Sequence, residues 1–201
     1  MSLDHYDAII LGGGAAGLMC ALTAGKRGKR VLVLEASNKL GKKILMSGGG
    51  RCNFTNLDIQ SENFLSQNPH FCKSALKQYN QWDFISMVAT HGIAYEERKH
   101  QQLFCVGSSK EVLAMLKTEC EAVGVEYWLS AQAQAVDIAD RQVEISLMHR
   151  DTVKSITAKN LIVATGGLSI PTLGGATGFA YQLAEQLNIC LLYTSPSPRD
   201  S

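Results

Sequence analysis

The first glycine pattern of the chain has the residue types and the spacing of a phosphate-binding turn. Gly12, Gly14 and Gly17 follow an apolar run at residues 8–11. In such a pattern the first glycine permits a tight turn, the second lets backbone approach a pyrophosphate, and the third lets a helix pack against the strand. The N-terminus of that helix offers unpaired N–H groups and the positive end of its dipole. The pattern therefore predicts a site for nucleotide phosphates.

An acidic residue follows at the distance that such a site requires. Residues 31–34 form a second apolar run, and Glu35 closes it, 21 residues after Gly14. This carboxylate can accept hydrogen bonds from a ribose 2′-OH, and it would repel a 2′-phosphate. Strand, helix, second strand and acid in this order favour a dinucleotide-binding βαβ unit over a purely structural glycine turn.

Two more glycine-rich stretches carry the same kind of signal. Residues 47–53 contain three consecutive glycines flanked by Lys42, Lys43 and Arg51, and residues 164–167 read Ala-Thr-Gly-Gly after a short apolar run. We interpret the first stretch as a loop that passes close to an anion, and a flexible linker is the alternative. Because parallel sheets bind ligands beyond the carboxyl ends of their strands, three such turns indicate an elongated ligand. FAD is the natural candidate.

The elements that must position these turns follow from periodicity and caps. Residues 74–90 predict one amphipathic helix, residues 93–106 a hairpin, and Ser108 with Glu111 a capping box for a helix that ends at Gly124. A third parallel strand is predicted at 125–129, and three short antiparallel strands are predicted at 133–138, 143–148 and 153–157. A short buried run follows at 161–164 and a helix at 177–187.

Composition limits the classes of function. The chain has 201 residues, 46% of them hydrophobic, and a net charge of +1, so we expect no nucleic-acid partner and no membrane partner. The six cysteines show no metal-ligand spacing, and the chain starts with no secretory signal. We therefore expect a soluble cytoplasmic protein with reduced thiols and no metal. The oligomeric state does not follow from the sequence.

The glycine motifs together resemble a known family. GKKILMSGGGRCNFTN at 41–56 and NLIVATGGLSIPTLGGATGFAYQLAEQLNI at 160–189 are similar to the bacterial NAD(P)/FAD-dependent oxidoreductase family, also known as aminoacetone-oxidase-like flavoproteins. That family belongs to the glutathione-reductase-like superfamily with two dinucleotide-binding domains. The resemblance runs from about residue 5 to residue 189, and the family's carboxyl half is absent. It implies an α/β fold, an incomplete Rossmann-like FAD-binding domain with a parallel βαβ sheet plus an antiparallel β-meander.

The resemblance also implies which residues would hold FAD. It assigns the pyrophosphate to Gly12, Gly14, Ala15, Ala16 and Gly17, and the adenosine ribose to Glu35. The chain from pyrophosphate to flavin would run along Lys43, Gly50, Arg51, Cys52 and Asn53, the adenine would meet the backbone of Ala133, and Thr165, Gly166 and Gly167 would close the second side. One departure is Leu103-Phe104-Cys105, where relatives commonly carry a proline after the phenylalanine.

The residues near the implied flavin do not identify a catalytic group. A redox role for Cys52 would need a second cysteine in a C-x-x-C or C-x₄-C motif, which is absent, so we predict a packing role. Ser169 and Thr172 fit either substrate contact or turn formation. No general acid or base can be chosen.

The domain prediction separates two parts. Residues 1–189 form the FAD-binding domain, with a helical and hairpin excursion at about 57–107. Residues 190–201 resemble one reading frame of a common transposase sequencing adapter, so we expect natural sequence to end near Ile189; a genuine disordered tail is the alternative.

Several functions are compatible with these features. The leading hypothesis is an FAD-dependent oxidoreductase that moves a hydride or electrons between a small organic substrate and flavin, with NAD(P)H as an optional donor. An NAD-dependent dehydrogenase would use the first βαβ unit alone and leave the other two glycine motifs unexplained. A truncated flavin-binding fragment without turnover is a third hypothesis. A tRNA-modifying flavoprotein fits the superfamily, but the neutral charge supplies no basic footprint for RNA.

Overall fold

A computed structural model describes residues 5–140, 142–167 and 178–191. Its strands are β1 (His5–Leu11), β2 (Val31–Glu35), β3 (Asn53–Asn56), β4 (Tyr95–Glu97), β5 (Gln102–Cys105), β6 (Glu126–Leu129), β7 (Ala131–Ala139), β8 (Gln142–His149) and β9 (Thr152–Val163). Its α-helices are α1 (Ala15–Lys26), α2 (Lys42–Met46), α3 (Lys73–Gln78), α4 (Gln81–Thr90), α5 (Ser109–Ala122) and α6 (Phe179–Gln186). Short 3-10 turns lie at Ser47–Gly50, Ser61–Asn63 and Lys99–Gln101.

The larger sheet has the strand order β6-β2-β1-β9-β8-β7. The first four strands in this order, β6, β2, β1 and β9, pair in parallel. The last three, β9, β8 and β7, pair antiparallel. The predicted α/β fold, a Rossmann-like parallel sheet joined to a β-meander, is therefore confirmed. The predicted third parallel strand is β6, which pairs with β2 in the register Leu32↔Glu126.

The central strand β1 is buried on both faces, which explains why it reads as a continuous apolar run. Ile10 packs with Leu18 of α1 and Leu116 of α5 on one face of the sheet. Its neighbour Ile9 belongs to a second core cluster with Leu147 of β8. Both isoleucines are fully buried, so the turn after β1 is anchored to a rigid strand.

The long strand β9 corrects one prediction. Residues 153–157 and 161–164 are predicted as separate elements, but β9 is one strand of 12 residues that contains the whole of the first and most of the second. Its first half pairs antiparallel with β8, and its second half pairs parallel with β1, with Ala8 opposite Asn160. The polar residues between the two apolar runs therefore lie within a strand, where hydrogen bonds to neighbouring strands override the local change of pattern.

The excursion contains a small sheet with the strand order β3-β5-β4. The predicted hairpin is confirmed as β4 and β5, and β3 joins it as a third strand. The single helix predicted at 74–90 is wrong, because α3 ends before Tyr79 and α4 begins after Asn80. The Asn80 side chain accepts hydrogen bonds from the N–H groups of Trp82 and Asp83, while the Asp83 carboxylate accepts one from the Asn80 N–H. This reciprocal cap starts a new helix.

The other helix predictions hold. The Ser108 hydroxyl accepts from the Lys110 N–H, the Glu111 carboxylate accepts from the Ser108 N–H, and α5 runs on from this cap. The predicted C-terminal helix is α6, although Thr177 lies outside the described residues. Ser169 and Thr172 also lie outside them. No helix in the described ranges is long and apolar enough to cross a membrane.

Candidate functional site

The turn after β1 is built so closely that only glycine fits at two positions. Gly12 has φ +105°, and a Cβ placed on it would lie 2.5 Å from the carbonyl oxygen of Ala164. A Cβ on Gly17 would lie 1.9 Å from the carbonyl oxygen of Gly12. At Gly14, by contrast, a Cβ would meet nothing within 4 Å. The absence of a side chain at the first and third glycines therefore lets β1, α1 and the residue after β9 approach closely. The second glycine faces open space.

The carboxylate of Glu35 lies at the end of β2 and is fixed by two backbone groups. Its Oε2 accepts a hydrogen bond from the Gly13 N–H at 2.8 Å, and its Oε1 accepts one from the Ser37 N–H at 2.8 Å. Hydrogen bonds to an ionised carboxylate are stronger than neutral ones. Glu35 thus connects the first glycine turn to the segment after β2, in addition to its predicted place near a ribose.

The second glycine-rich stretch is more ordered than the predicted loop. Residues Lys42–Met46 form α2, and Ser47–Gly50 form a 3-10 turn with left-handed backbone at Gly48 and Gly49. A Cβ on Gly48 would lie 2.6 Å from Cε1 of Phe104, so this glycine allows the turn to pack on β5. The stretch is therefore a short helix followed by a tight turn beside the cavity, and not a flexible linker.

The three glycine-rich stretches meet. The Lys43 ammonium donates a hydrogen bond to the carbonyl of Gly167 at 3.2 Å, and the Ala164 N–H donates to the Leu11 carbonyl at 2.8 Å. They border one cavity of about 430 Å³, within the usual range of about 300–1,000 Å³ for ligand sites. Eleven of the predicted site residues line it: Gly12, Gly14, Ala15, Ala16, Glu35, Lys43, Cys52, Asn53, Ala133, Thr165 and Gly166.

Four predicted residues do not line this cavity. Gly17 packs against Gly12 behind the turn, and Gly167 borders a neighbouring cavity beside α6. Gly50 is absent from the lining, as is Arg51, whose Nη1 lies 3.7 Å from Oε1 of Glu96 on β4. The predicted role of Arg51 along the cofactor therefore has no support in its present position.

Apolar residues from distant elements also line the cavity, and sequence analysis did not assign them to it. Phe54 of β3 and Phe84 of α4 form one wall, with their ring centroids 6.0 Å apart. Val112 and Leu116 of α5 form another part of the lining. Their helical spacing indicated only a core-facing side, because periodicity cannot distinguish a core from a cavity wall.

The comparison with known families identifies this arrangement. Residues 6–195 match the family described as HI0933-like protein Rossmann domain. The chain belongs to this family. Its fold is that of a Rossmann domain, as the first βαβ unit led us to expect.

Curated relatives of this HI0933-like domain are about twice its length. It is 49% identical over 186 residues to a ribosomal RNA dihydrouridine synthase of Haemophilus influenzae, covering 92% of this chain and 46% of the relative. The corresponding Escherichia coli protein is 46% identical over 192 residues, covering 96% and 47%. A 3-dehydro-bile acid delta(4,6)-reductase of Clostridium scindens is 27% identical over 190 residues, covering 94% and 45%.

Solved structures share the fold of this HI0933-like domain at low sequence identity. A flavocytochrome c3 fumarate reductase in its open conformation gives a TM-score of 0.64 at 18% identity, covering 92% of this chain and 40% of that one. A 3-ketosteroid-delta4-(5alpha)-dehydrogenase from Rhodococcus jostii RHA1 gives 0.63 at 15% identity, covering 82% and 46%. These likenesses establish the Rossmann-like architecture.

The residues of the HI0933-like cavity fit the pyrophosphate end of FAD. Gly14 leaves open space at the start of α1, where the backbone N–H groups of Ala15 and Ala16 begin the helix. The Lys43 ammonium lies across from them beside Gly166, at 3.2 Å from the position of a Cβ on that glycine. Helix dipole, backbone donors and one cation around an open space are suited to an anion. No group of three or more His, Cys, Asp or Glu in the described ranges could hold a metal ion.

Two buried thiols of the HI0933-like domain lie side by side next to the cavity. Cys52 lines it, is 5% exposed, and has a left-handed backbone with φ 49°. Cys105 is fully buried, and its N–H donates to the carbonyl of Arg51 at 2.8 Å. Burial raises the pKa of Cys52, and burial together with the charge of Cys52 raises the pKa of Cys105 to about 11. Sequence spacing could not reveal this neighbour, because strand pairing supplies it.

Thiol labelling is expected to separate the cysteines of the 201-residue chain into two groups. At mildly alkaline pH, iodoacetamide should modify the exposed Cys190 quickly and leave Cys52 and Cys105 unmodified, because raised pKa values keep both buried thiols protonated. Peptide mass spectrometry before and after unfolding in guanidinium measures the two groups. Labelling of Cys52 at the rate of Cys190 in the folded protein would contradict a protonated packing thiol.

Proposed function

We propose that this domain holds FAD in the cavity and serves an oxidoreductase that transfers hydride or electrons between an organic substrate and the flavin. The observation that carries the proposal is the meeting of three glycine-rich stretches, the third more than a hundred residues after the other two, around one cavity with Glu35 at its edge. A nucleotide monophosphate would need only the first turn. An elongated dinucleotide accounts for all three.

The residues would divide the cofactor among them. The open face at Gly14 and the start of α1 bind the pyrophosphate, with Lys43 balancing its charge. Glu35 accepts from the adenosine ribose, and Ala133 meets the adenine through its backbone. Thr165 and Gly166 border the second side of the cofactor. The aromatic wall of Phe54 and Phe84 excludes water from the cavity. In this arrangement the chain binds and orients, and bound FAD supplies the hydride chemistry.

The relatives indicate a chemical class of substrate. A dihydrouridine synthase and a delta(4,6)-reductase both reduce a carbon–carbon double bond that is conjugated to a carbonyl group. We propose the same class here: hydride goes to the carbon β to the carbonyl, a proton goes to the α carbon, and the double bond becomes single. NAD(P)H is the proposed source of the electrons.

Two substrates of this class are candidates. A uridine of ribosomal RNA is favoured by the 49% and 46% identity to the two dihydrouridine synthases over nearly the whole chain. A small unsaturated carbonyl compound agrees with the neutral net charge. Oxidation of an amine or ketone, as in aminoacetone-oxidase-like flavoproteins, is the alternative outside this class. Our expectation of no nucleic-acid partner rests on that net charge alone.

The chain spans slightly less than half the length of the curated relatives that it matches. We propose that the further residues of those longer relatives help to close the site over the flavin. A flavin-binding fragment without turnover remains the alternative for the 201-residue chain, and an NAD-dependent dehydrogenase remains the alternative for the cofactor.

Two linked measurements test the proposal. The purified chain is expected to retain FAD, which is visible as flavin absorbance and is quantified after denaturation. It is not expected to bind NAD in place of FAD. A hybrid of residues 1–189 with the carboxyl-terminal half of the Escherichia coli relative is then expressed in a strain that lacks that relative. We expect it to restore dihydrouridine in ribosomal RNA, measured by nucleoside mass spectrometry.

The outcomes separate the parts of the proposal. A chain and a hybrid that both bind NAD and no FAD would overturn the flavin assignment. A second outcome is a hybrid that carries FAD and reduces small unsaturated ketones, yet forms no dihydrouridine. That result would exclude ribosomal RNA as the substrate and support the proposed oxidoreductase activity. The same hybrid with Gly17→Ala is the inactive control.

A further inference from the structure

The excursion presents a run of exposed aromatic and aliphatic side chains that no part of the described structure covers. We call residues 64–82 the aromatic segment; it includes α3 and the first residues of α4. Its large exposed side chains are Phe64, Leu65, Phe71, Tyr79 and Trp82. Leu65 is 95% exposed, Phe71 81% and Trp82 57%. Exposed hydrophobic side chains in such density mark an interaction surface.

The aromatic segment is also positively charged. Its 19 residues contain no Asp or Glu, although the chain has 18 acidic residues. Lys73 and Lys77 are exposed, as is His70, and amide side chains occupy five further positions: Gln67, Asn68, Gln78, Asn80 and Gln81. The flanking acids Glu62 and Asp83 each accept a hydrogen bond, from the Ser61 hydroxyl and from the Asn80 N–H. The segment itself therefore carries two lysines and no acid, and Glu62, just before it, lies near Lys73.

The helix α4 begins in the aromatic segment and contributes one side chain beyond it to the cofactor cavity. Trp82 precedes Phe84 by two residues on α4, and Phe84 lines the cavity together with Phe54. The Phe54 ring lies 6.0 Å from the Phe84 ring and 5.7 Å from the Tyr95 ring. Tyr95 is itself partly exposed. The rings of Tyr95, Phe54 and Phe84 thus form a row from a partly exposed position to the wall of the cavity, and α4 carries Trp82 on a different face from Phe84.

We propose that the aromatic segment binds a single-stranded loop of RNA, with unpaired bases stacked on Phe71 and Trp82 and phosphates facing Lys73 and Lys77. Single-stranded RNA is recognised by aromatic stacking combined with cations along the backbone, which is the composition of this segment. Charge complementarity favours RNA over a second copy of the chain, because two copies would bring like charges together. The inference rests on the ribosomal RNA form of the proposed function.

The test measures RNA binding directly with the 201-residue chain. Fluorescence anisotropy with fluorescein-labelled oligouridine gives the affinity at several salt concentrations. The double variant Phe71→Ala/Trp82→Ala is expected to bind about tenfold more weakly, because base stacking is lost. The double variant Lys73→Glu/Lys77→Glu is expected to weaken binding and to reduce its salt dependence. Trp82→Phe should keep most of the affinity.

Matched variants elsewhere control for exposure and charge. Ile138→Ala/Val153→Ala removes two exposed hydrophobic side chains from the meander, and Lys29→Glu/Lys110→Glu reverses two exposed cations outside the segment. Both double variants are expected to bind oligouridine as the unmodified chain does. All variants should keep the unfolding midpoint of the unmodified chain, since the altered side chains are exposed.

Each result has a defined meaning. Absence of oligouridine binding by the unmodified chain, or equal affinity of the Phe71→Ala/Trp82→Ala variant, overturns the inference. Self-association that this variant abolishes, with RNA affinity unchanged, would make the segment an interface between copies and would also overturn it. RNA binding through the segment together with a hybrid that forms no dihydrouridine would reject the proposed substrate and leave the binding surface established.

Discussion

Replacement of Gly17 by alanine is expected to destabilise the domain and to abolish FAD retention. The new Cβ would lie 1.9 Å from the Gly12 carbonyl oxygen, and neither backbone can move without separating α1 from β1. Overpacking of this kind typically costs about 1–3 kcal/mol, and the contact here is between backbone groups, so we expect a loss of about 3 kcal/mol. Alanine's higher helix propensity, about 1 kcal/mol, does not offset it. Urea unfolding of the cofactor-free protein and flavin titration measure the two effects.

Gly14→Ala is the matched control for this prediction. Its Cβ would meet nothing within 4 Å, so the cofactor-free protein should lose at most about 1 kcal/mol, the usual effect at an N-cap. FAD binding should nevertheless weaken strongly, because the methyl group enters the space assigned to the pyrophosphate. Equal stability of the Gly17→Ala and Gly14→Ala proteins would contradict the packing role of Gly17. Unchanged FAD affinity in Gly14→Ala would remove the pyrophosphate from this turn.

Replacement of Glu35 by alanine is the second large effect we expect. It removes the acceptor of the Gly13 and Ser37 N–H groups and the proposed partner of the ribose. Hydrogen bonds to charged groups contribute about 1.5–3 kcal/mol each, and solvent competes for part of that gain because the site is only half-buried. We expect FAD affinity to fall roughly 10- to 100-fold and the cofactor-free protein to lose about 2 kcal/mol. Calorimetric FAD titration and urea unfolding provide the measurements.

Two variants define what the Glu35 result means. Glu35→Gln keeps an oxygen acceptor for one of the two N–H groups. Its FAD affinity and its stability should both lie between those of the native protein and those of the alanine variant. Glu126→Ala removes an acid from the neighbouring strand β6, where it accepts from the Tyr6 hydroxyl outside the cavity, and should leave FAD affinity unchanged. If Glu35→Ala lowers stability without changing FAD affinity, the carboxylate serves the turn alone.

The parts of the fold that the sequence predicts well are those with local causes. The βαβ unit from β1 to Glu35 combines apolar runs with glycines that contact one another, and the cap of α5 lies within four consecutive residues. The break between α3 and α4 also has a local cause, since Asn80 and Asp83 form a cap of the same kind. This cap is visible in the sequence, but the apolar periodicity on both sides of it predicts one continuous helix.

Other features depend on contacts between distant residues and had no local signal. The continuity of β9 is imposed by two different neighbours, β8 along one half and β1 along the other. Cys105 meets the turn at Cys52 only because β5 pairs with β3. Phe84 lines the cavity because α4 packs against β3, and periodicity alone could only place it on the buried side of a helix. Arg51 was assigned by its motif, yet its guanidinium lies beside Glu96.

The pairing of β1 with β9 also has a consequence for how the protein is made. Ala8 lies opposite Asn160, so two parts of the cofactor cavity that meet in the fold are translated more than a hundred residues apart. During synthesis the βαβ unit emerges first, but its glycine turn gains its partner at Ala164 only after more than a hundred further residues. Closing so long a loop is slow relative to forming local helices. Cofactor loading is therefore expected to be a late event in folding, and nascent chains shorter than β9 should not retain FAD.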